Sequence, residues 1–471
     1  MSEDVLDVIA TSIGLAGDAS SSIEFHGLGA MASAFRVTDF AAATVGAAGL
    51  SIAALAGLGS PNLLPPVSVD RRLASFWFAT TLRPQGWDLP PLWDPIAADY
   101  KARDGWIRLD TNAPHHRAAA LKAMGVDGER RHVADAVSQW SAAGLETAVV
   151  EAGGCAAVMH SFAAWATHPQ GKAIAAEPLA HMEFTATMAR AGWRLNPERP
   201  LAGIRVLDLT RILAGPVATR FLAGYGADVL RIDPIDWEEP AAIPEVSPGK
   251  RLARLDLRSQ DGLARLKELI SKADVMVHGY RSDALERLGV GRAVRRELQP
   301  GLIDVSLDAF GWTGPWAQRR GFDSLVQMSS GLAEAGMRAA DCGKPFPLPV
   351  QALDHGTGYL MAAAVGQGLF ERATTGRALT ARFSLARTAA LLARFPDAGG
   401  LENRLTSEAA SDLSEGIEHT SWGPAKRLSA PLEIAGAPFR WTLPAGNHGR
   451  DQAEWPACRA ASQFCPIALA C

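Results

Sequence analysis

Between residues 204 and 307, short continuous apolar runs alternate with segments whose apolar positions recur at helical spacing. The first run, "IRVLDL" (204–209), has the character of a strand buried on both faces. Pro216 suits the first turn of the helix that follows, where a missing N–H is no loss. Gly224 or Gly226 stops that helix before a second strand at Asp228–Asp233. The alternation continues with a strand in "RLARLDL" (251–257) and a helix opening near Ser259, Gln260 and Asp261. Strand "DVMVHG" (274–279), helix "SDALERLG" (282–289) and strand "GLIDVSL" (301–307) complete the series. Four strand–helix repeats with short connections predict an α/β fold, a doubly wound, mostly parallel, Rossmann-like sheet occupying residues 200–395.

Elsewhere the pattern changes. Residues 85–198 begin with a stretch broken by Pro and Trp and continue with helical segments such as "HHRAAALKAMG", which predicts a second, smaller α+β domain. The turn formers of "LNPERP" (195–200) mark the linker. After residue 395 periodicity is lost, and 396–471 reads as a solvated linker, a closing segment and a disordered tail. Residues 26–84 resemble 341–398. In both, an Asp (Asp39 or Asp354) precedes a small-residue helix, and a short charged link then leads into a strand and another helix. Phe40–Gly59 carries no charge and is long enough to span a bilayer. Its Ala and Gly contribute little transfer energy and no basic flank anchors it, so a tightly packed buried helix is expected.

A length of 471 residues implies two or three domains, and 48% hydrophobic with 20% charged residues is a globular composition. The net charge of −4 provides no field for nucleic acid or an anionic membrane, so neither is expected as a partner. Cys155 and Cys342 stand alone, and Cys458, Cys465 and Cys471 have no metal spacing; neither a disulfide nor a metal is expected. With an acidic start, MSEDVLD, the expected location is the cytoplasm.

The turn after the first strand, "TRILAGP", has one glycine, whereas a dinucleotide fold needs G-x-G-x-x-G there; this argues against NAD even though Asp233 closes the second strand. Four blocks, "LAGIRVLDLTRILAGPVATRFLAGYGADVLRIDP", "GKRLARLDLRSQDGLARLKELISKADVMVHGYRSDALERLGVG", "LIDVSLDAFGWTGPWAQRRGFDSLVQMSSGL" and "ALDHGTGYLMAAAVGQGL", resemble in order and spacing the class III CoA-transferase family, which also holds the α-methylacyl-CoA racemases. Fainter likeness extends to "DGWIRLDTNAPHHRAAALKAMG" and "AVMHSFAAWATHPQGKAI", which are similar to the family's smaller domain, and to 422–441, which is similar to its closing segment. The smaller domain normally follows the large one. Here it precedes it, so the chain is similar to a circularly rearranged member, or to a duplication later trimmed.

The resemblance implies an enzyme with acyl-CoA and carboxylic acid as substrates, no tightly bound cofactor, and a homodimer of interlocked chains. It places the catalytic aspartate at Asp354, which attacks the thioester to give an anhydride and then an aspartyl-CoA. That step needs an ionised Asp at a helix start, with Gly356 and Gly358 leaving the backbone approachable; read from its eight residues alone, Asp354 is also a fair N-cap. Asp39 is followed by "FAAA" and reads as a structural remnant. CoA is expected at the carboxyl ends of the strands. It would lie beside Arg211, Ile212, Leu213 and Ala214 in the first turn, Leu255, Leu257 and Arg258 after the third strand, and Gly279, Tyr280 and Arg281 after the fourth. Arg287 is a candidate phosphate partner. Two departures from the family stand out: Gly279-Tyr280 where Asn-Phe is frequent, and no four-glycine loop. Racemases place a His before the Asp of "GFDSLVQ"; Phe322 is there instead, which favours transferase, with Arg320 and Asp323 as packing or helix-start residues. His115 and His116 lack a third metal-spaced ligand and suit surface or interdomain hydrogen bonding, as do His160, His168 and His181; His355 stands beside Asp354 and invites mutation. A racemase-like enzyme and a silent acyl-CoA-binding protein are the alternatives.

Overall fold

The computed structural model describes residues 1–15, 20–59, 64–187, 193, 195–281, 283–397 and 404–456; Cys458, Cys465, Cys471 and the expected tail lie outside them. The chain opens with α1 (Ser2–Ile13), β1 (Ile23–His26), α2 (Val37–Ala56), β2 (Val67–Asp70), α3 (Arg71–Trp77) and β3 (Leu82–Pro84). A small domain follows, with β4 (Ala98–Lys101), β5 (Trp106–Asp110), α4 (Pro114–Met124), α5 (Arg130–Gln139), α6 (Ala142–Glu151) and β6 (Cys155–Val158). The connection α7 (Phe162–Thr167), α8 (Pro169–Ala176) and β7 (His181–Ala186) leads out of it.

The large domain runs β8 (Arg205–Leu209), α9 (Ala214–Gly224), β9 (Asp228–Asp233), α10 (Ile243–Val246), β10 (Lys250–Arg254), α11 (Gln260–Ser271) and β11 (Val275–His278). It continues with α12 (Ala284–Arg287), α13 (Arg292–Leu298), β12 (Ile303–Asp308), α14 (Asp323–Ser329), α15 (Leu332–Ala339), α16 (Ala352–Thr375), β13 (Arg377–Ser384) and α17 (Leu385–Leu392). The closing strands are β14 (Glu418–Thr420), β15 (Gly423–Arg427) and β16 (Leu432–Ile434).

The expected sheet is present, seven strands in the order β10-β9-β8-β11-β12-β13-β7, all parallel except the edge strand β7. The reversal of direction of growth between β8 and β11 opens a crevice at their carboxyl ends, where ligands of such sheets sit. The strand expected to reach residue 257 stops at Arg254, because the Asp256 carboxylate accepts the Arg258 N–H and its carbonyl the Ser259 N–H, turning the chain out of the sheet. Helix 282–289 is reduced to one turn, closed by Gly289 at φ 70.

β7 crosses the expected boundary: it belongs to the 85–198 segment yet pairs with β13 of the large sheet. The segment read as a solvated connection is strapped down, with Asp412 bound to Arg72 and Glu408 to Arg83. Glu245 on α10 joins three parts of the chain. Its carboxylate accepts the Thr81 and Leu82 N–H groups and meets Arg220 and Arg427. Burial works to raise its pKa, but the two guanidinium groups outweigh it and hold the carboxyl at about 2.

α2 is long and apolar enough to cross a membrane, yet all its residues except Asp39 and Ala54 are buried within the protein. It lies along α16, and α9 packs on another side of α16. Small residues permit this approach. A methyl group on Gly356 would stand 2.3 Å from the Phe40 ring, one on Gly366 2.3 Å from Ser51 Oγ, and one on Gly358 2.4 Å from the Ala214 carbonyl oxygen. Gly356 and Gly358 therefore serve helix packing, and the expectation that they expose backbone to substrate is corrected. Gly358→Ala should reverse the usual helix preference for alanine, costing about 1–3 kcal/mol because its neighbour is backbone and cannot yield; urea unfolding midpoints measure it.

Candidate active site

Asp354 is the third residue of α16, in its first turn, and is 8% exposed. It is not the N-cap, which is Gln351. Its backbone N–H donates to Asp323 Oδ2 at 2.9 Å. Asp323 opens α14 and is fully buried; its other oxygen accepts from Gln327, whose own Oε1 accepts the Leu348 N–H at 2.7 Å. A residue expected to be packing or a helix start thus ties α14 to the start of α16.

The small domain packs onto α14 through β5 and β6. Cys155 and Ala157 of β6 join Leu325, Met328 and Phe322 in one apolar cluster. On β5, Asp110 is brought near enough to act electrostatically on Asp354. Burial first, then the Asp323 and Asp110 charges, push the Asp354 carboxyl well above the ordinary carboxylate range. Asp323 and Asp110 are each raised to about 6, in both cases chiefly by burial. The first-turn position opposes this, since a helix N-terminus favours an anion. The ionised aspartate expected from the resemblance is therefore disfavoured in the free chain. Burial also raises the Cys155 thiol to about 12, which leaves it inert.

The turn after β8 borders the same region, since the Ala214 carbonyl faces Gly358. Asp208, fully buried at the end of β8, accepts from the Thr210 N–H at 2.9 Å, from both Thr210 and Thr219 hydroxyls and from Lys250 Nζ at 3.1 Å. Ile212 is held at φ 68, a strained conformation for a β-branched residue. Glu239 holds it there, accepting the Ile212 N–H at 2.8 Å and the Trp237 indole N–H at 3.0 Å while paired with Arg231. The Arg211 guanidinium lies 5.1 Å from the ring centres of both Trp237 and Tyr280, a cation–π sandwich.

Of the expected CoA-binding residues, the structure thus joins Arg211 directly to Tyr280, with Ile212, Leu213 and Ala214 forming the adjoining turn. Leu255, Leu257 and Tyr280 pack on one apolar cluster under the sheet's carboxyl end. Gly279 and Arg281 are exposed beside Tyr280. The expectation that the arginines form one set is corrected in part: Arg258 is bound to Asp256 and Arg287 to Asp283, local acids that neutralise them. Trp237, Glu239, Asp110 and Gln327 were not indicated by the sequence; only an acid and an indole after Asp233 could have drawn notice.

The histidines divide. His116 is 3% exposed, 5.8 Å from the Phe322 ring, and neither ring nitrogen has a partner among the described residues; this corrects its reading as a surface or hydrogen-bonded group. Burial, then His115 and Arg320, lower its pKa to about 4, so it is neutral. His355 stacks on Phe78 at 5.1 Å and is lowered to about 3 by burial and Arg220; it belongs to the packed interior. His160 and His168 lie in an aromatic cluster with Trp165. Among the described residues no group of three metal-binding side chains occurs.

Asp110→Asn should reveal the carboxylate cluster. A carboxyl at about 6 against an ordinary 3.8 contributes stability below pH ~4 that is lost as pH rises through 6. The variant should therefore gain on the parent protein between pH 4 and 7, read as the difference in urea midpoints.

Residues 201–444 match the family model for CoA-transferase family III. An acyl-CoA transferase from Gibberella moniliformis is 28% identical over 446 residues, covering 84% of this chain and 76% of its own. A probable fatty acyl-CoA transferase from Mycobacterium tuberculosis is 33% identical over 195 residues, covering 38% of this chain and 49% of its own. Human succinyl-CoA:glutarate CoA-transferase is 32% identical, covering 39% and 45%. A crystal structure of the mycobacterial protein aligns with TM-score 0.39 and 32% identity over 42% of this chain and 59% of that one. The chain spans three quarters of the length of the fungal relative, and about half that of the mycobacterial and human ones.

Proposed function

The chain belongs to CoA-transferase family III, and from that premise we propose that it moves CoA from an acyl-CoA to a carboxylic acid, with Asp354 as the nucleophile. The observation that carries this reading is the placement of Asp354, a buried carboxylate in the first turn of α16, between the β8–α9 turn and the small domain. In the reaction, an ionised Asp354 oxygen attacks the thioester carbonyl and expels CoA thiolate, leaving a mixed anhydride. The thiolate then attacks the Asp354 carbonyl carbon, releasing the first acid as its carboxylate and forming an aspartyl-CoA thioester. The incoming carboxylate attacks that thioester, CoA leaves again, and its attack on the new acyl carbonyl yields product and free Asp354. Arg211, Trp237 and Tyr280 supply flat aromatic and cationic surface to the nucleotide end of CoA, and exposed Arg281, next to Tyr280, adds positive charge.

Closure of the small domain excludes water from the anhydride, which would otherwise hydrolyse. The raised Asp354 pKa makes the free chain's aspartate a reluctant anion, so turnover should fall on the acid side at a higher pH than for an exposed aspartate.

A second reading, exchange of the proton on the α-carbon of an acyl-CoA, is favoured by His116, a neutral imidazole beside Phe322 whose nitrogens have no hydrogen-bond partner among the described residues. Deuterium uptake at that carbon in D2O would support it, and unlabelled acyl-CoA would set it aside. For the transferase, incubation with acyl-CoA and hydroxylamine should give a hydroxamate on Asp354, found by peptide mass spectrometry. Asp354→Ala should lower transfer by about a thousandfold or more. Bound CoA with no hydroxamate across a broad acyl panel would favour a silent binding protein.

A further inference from the structure

Two stretches of the chain repeat one construction. β1 pairs parallel with β2, as β12 does with β13. Between each pair runs a long small-residue helix, α2 or α16, and in each an aspartate is the third residue, Asp39 or Asp354. Each second strand ends on a capping side chain that opens the next helix: Asp70 accepts from Arg72 N–H before α3, and Ser384 from Arg387 N–H before α17. A third strand then pairs antiparallel with each second strand, β16 with β2 and β7 with β13.

The third strands are exchanged. β7 trails the first unit in sequence but completes the sheet of the second, while β16 trails the second unit and completes the sheet of the first. The units are bound further where the Arg36 N–H donates to the Phe395 carbonyl at 3.0 Å, and where Phe40, next to Asp39, rests on Gly356.

Their contents are complementary. The first unit carries the small domain between β3 and β7; the described residues between α17 and β14 of the second show none. The second unit carries the parallel strands β8–β11, for which the described residues of the first show no counterpart. Near Asp354 the small domain of the first unit packs, through β5 and β6, onto α14 of the second, whose Asp323 accepts the Asp354 N–H. At Asp39 the carboxylate is met by Arg71 at 2.7 Å and by Ser2 Oγ at 2.9 Å, in a cavity of about 90 Å³.

We infer that the chain is an intramolecular pair of diverged copies, in which the small domain of one copy serves the aspartate of the other, so that one chain holds one complete site and needs no second subunit. Arg71 takes up the Asp39 charge and leaves that aspartate a structural group. The order of domains that reads as a rearrangement then follows from tandem copies that kept different halves.

The test uses the full chain, carrying a protease site inserted at the exposed turn around Glu198, folded first and cut afterwards. Its CoA reading rests on the proposed function. Strand exchange predicts that the two pieces elute together, and that CoA titrates to one equivalent per cut pair with the affinity of the uncut chain. The unmodified chain should sediment at the mass of one chain, with transfer activity per chain unchanged on dilution. Separation of the pieces, two CoA equivalents per chain, or activity confined to a two-chain species would overturn the inference. If the insertion prevents folding, sedimentation and dilution of the unmodified chain decide alone. An uncut chain that binds no CoA contradicts the functional reading, while co-elution of the cut pieces still decides whether the copies are interlocked.

Discussion

The close approach of α2, α9 and α16 is the constraint on which the rest of the structure depends. Helices this near to one another leave space for a side chain from only one partner where they cross, so glycines of α16 face Phe40 and Ser51 of α2 and Ala214 and Val217 of α9. α16 is thereby fixed along its length, and the position of Asp354 in its first turn is fixed with it. The same contact between α9 and α16 brings the turn after β8 to Gly358, one helical turn from the aspartate, so one packing arrangement sets both the proposed nucleophile and the loop beside the expected nucleotide.

Around that fixed point the protein gathers charge that it does not fully neutralise. Several buried ionic groups elsewhere are answered: Asp208 by Lys250, Glu245 by Arg220 and Arg427, Glu239 by Arg231. Asp323 and Asp110 are instead raised chiefly by burial, and their charges add to the burial that raises Asp354. A fold that tolerates such a cluster forgoes stability, as active sites do when chemistry requires a perturbed group. A carboxylate that is reluctant to ionise is also a stronger nucleophile once it has ionised, which suits attack on a thioester.

The sequence exposed what is local. Alternating apolar runs located five of the seven strands of the large sheet within a few residues, and the Asp-helix repeat was visible in the spacing around Asp39 and Asp354. What it concealed depends on contacts between distant residues. Asp110 lies more than two hundred residues before Asp354 in the chain, and nothing near it in sequence marks it as a neighbour. Glu239 matters because its carboxylate reaches Ile212, a contact that a linear pattern does not encode. Gly356 and Gly358 were legible as glycines but ambiguous in purpose, since a missing side chain admits a substrate and a neighbouring helix equally well. Arg258 and Arg287 misled for the opposite reason: their acidic partners lie two and four residues away, too close to draw attention.

In the proposed reaction the Asp354 carboxylate itself is covalently engaged during transfer. Turnover with a carboxylic acid acceptor labelled with ¹⁸O in both oxygens tests it most directly, because breakdown of the second anhydride must leave an acceptor oxygen on the aspartate. ¹⁸O is expected in the Asp354 peptide after turnover and none in the Asp39 peptide. Full transfer activity with an unlabelled Asp354 peptide would contradict it.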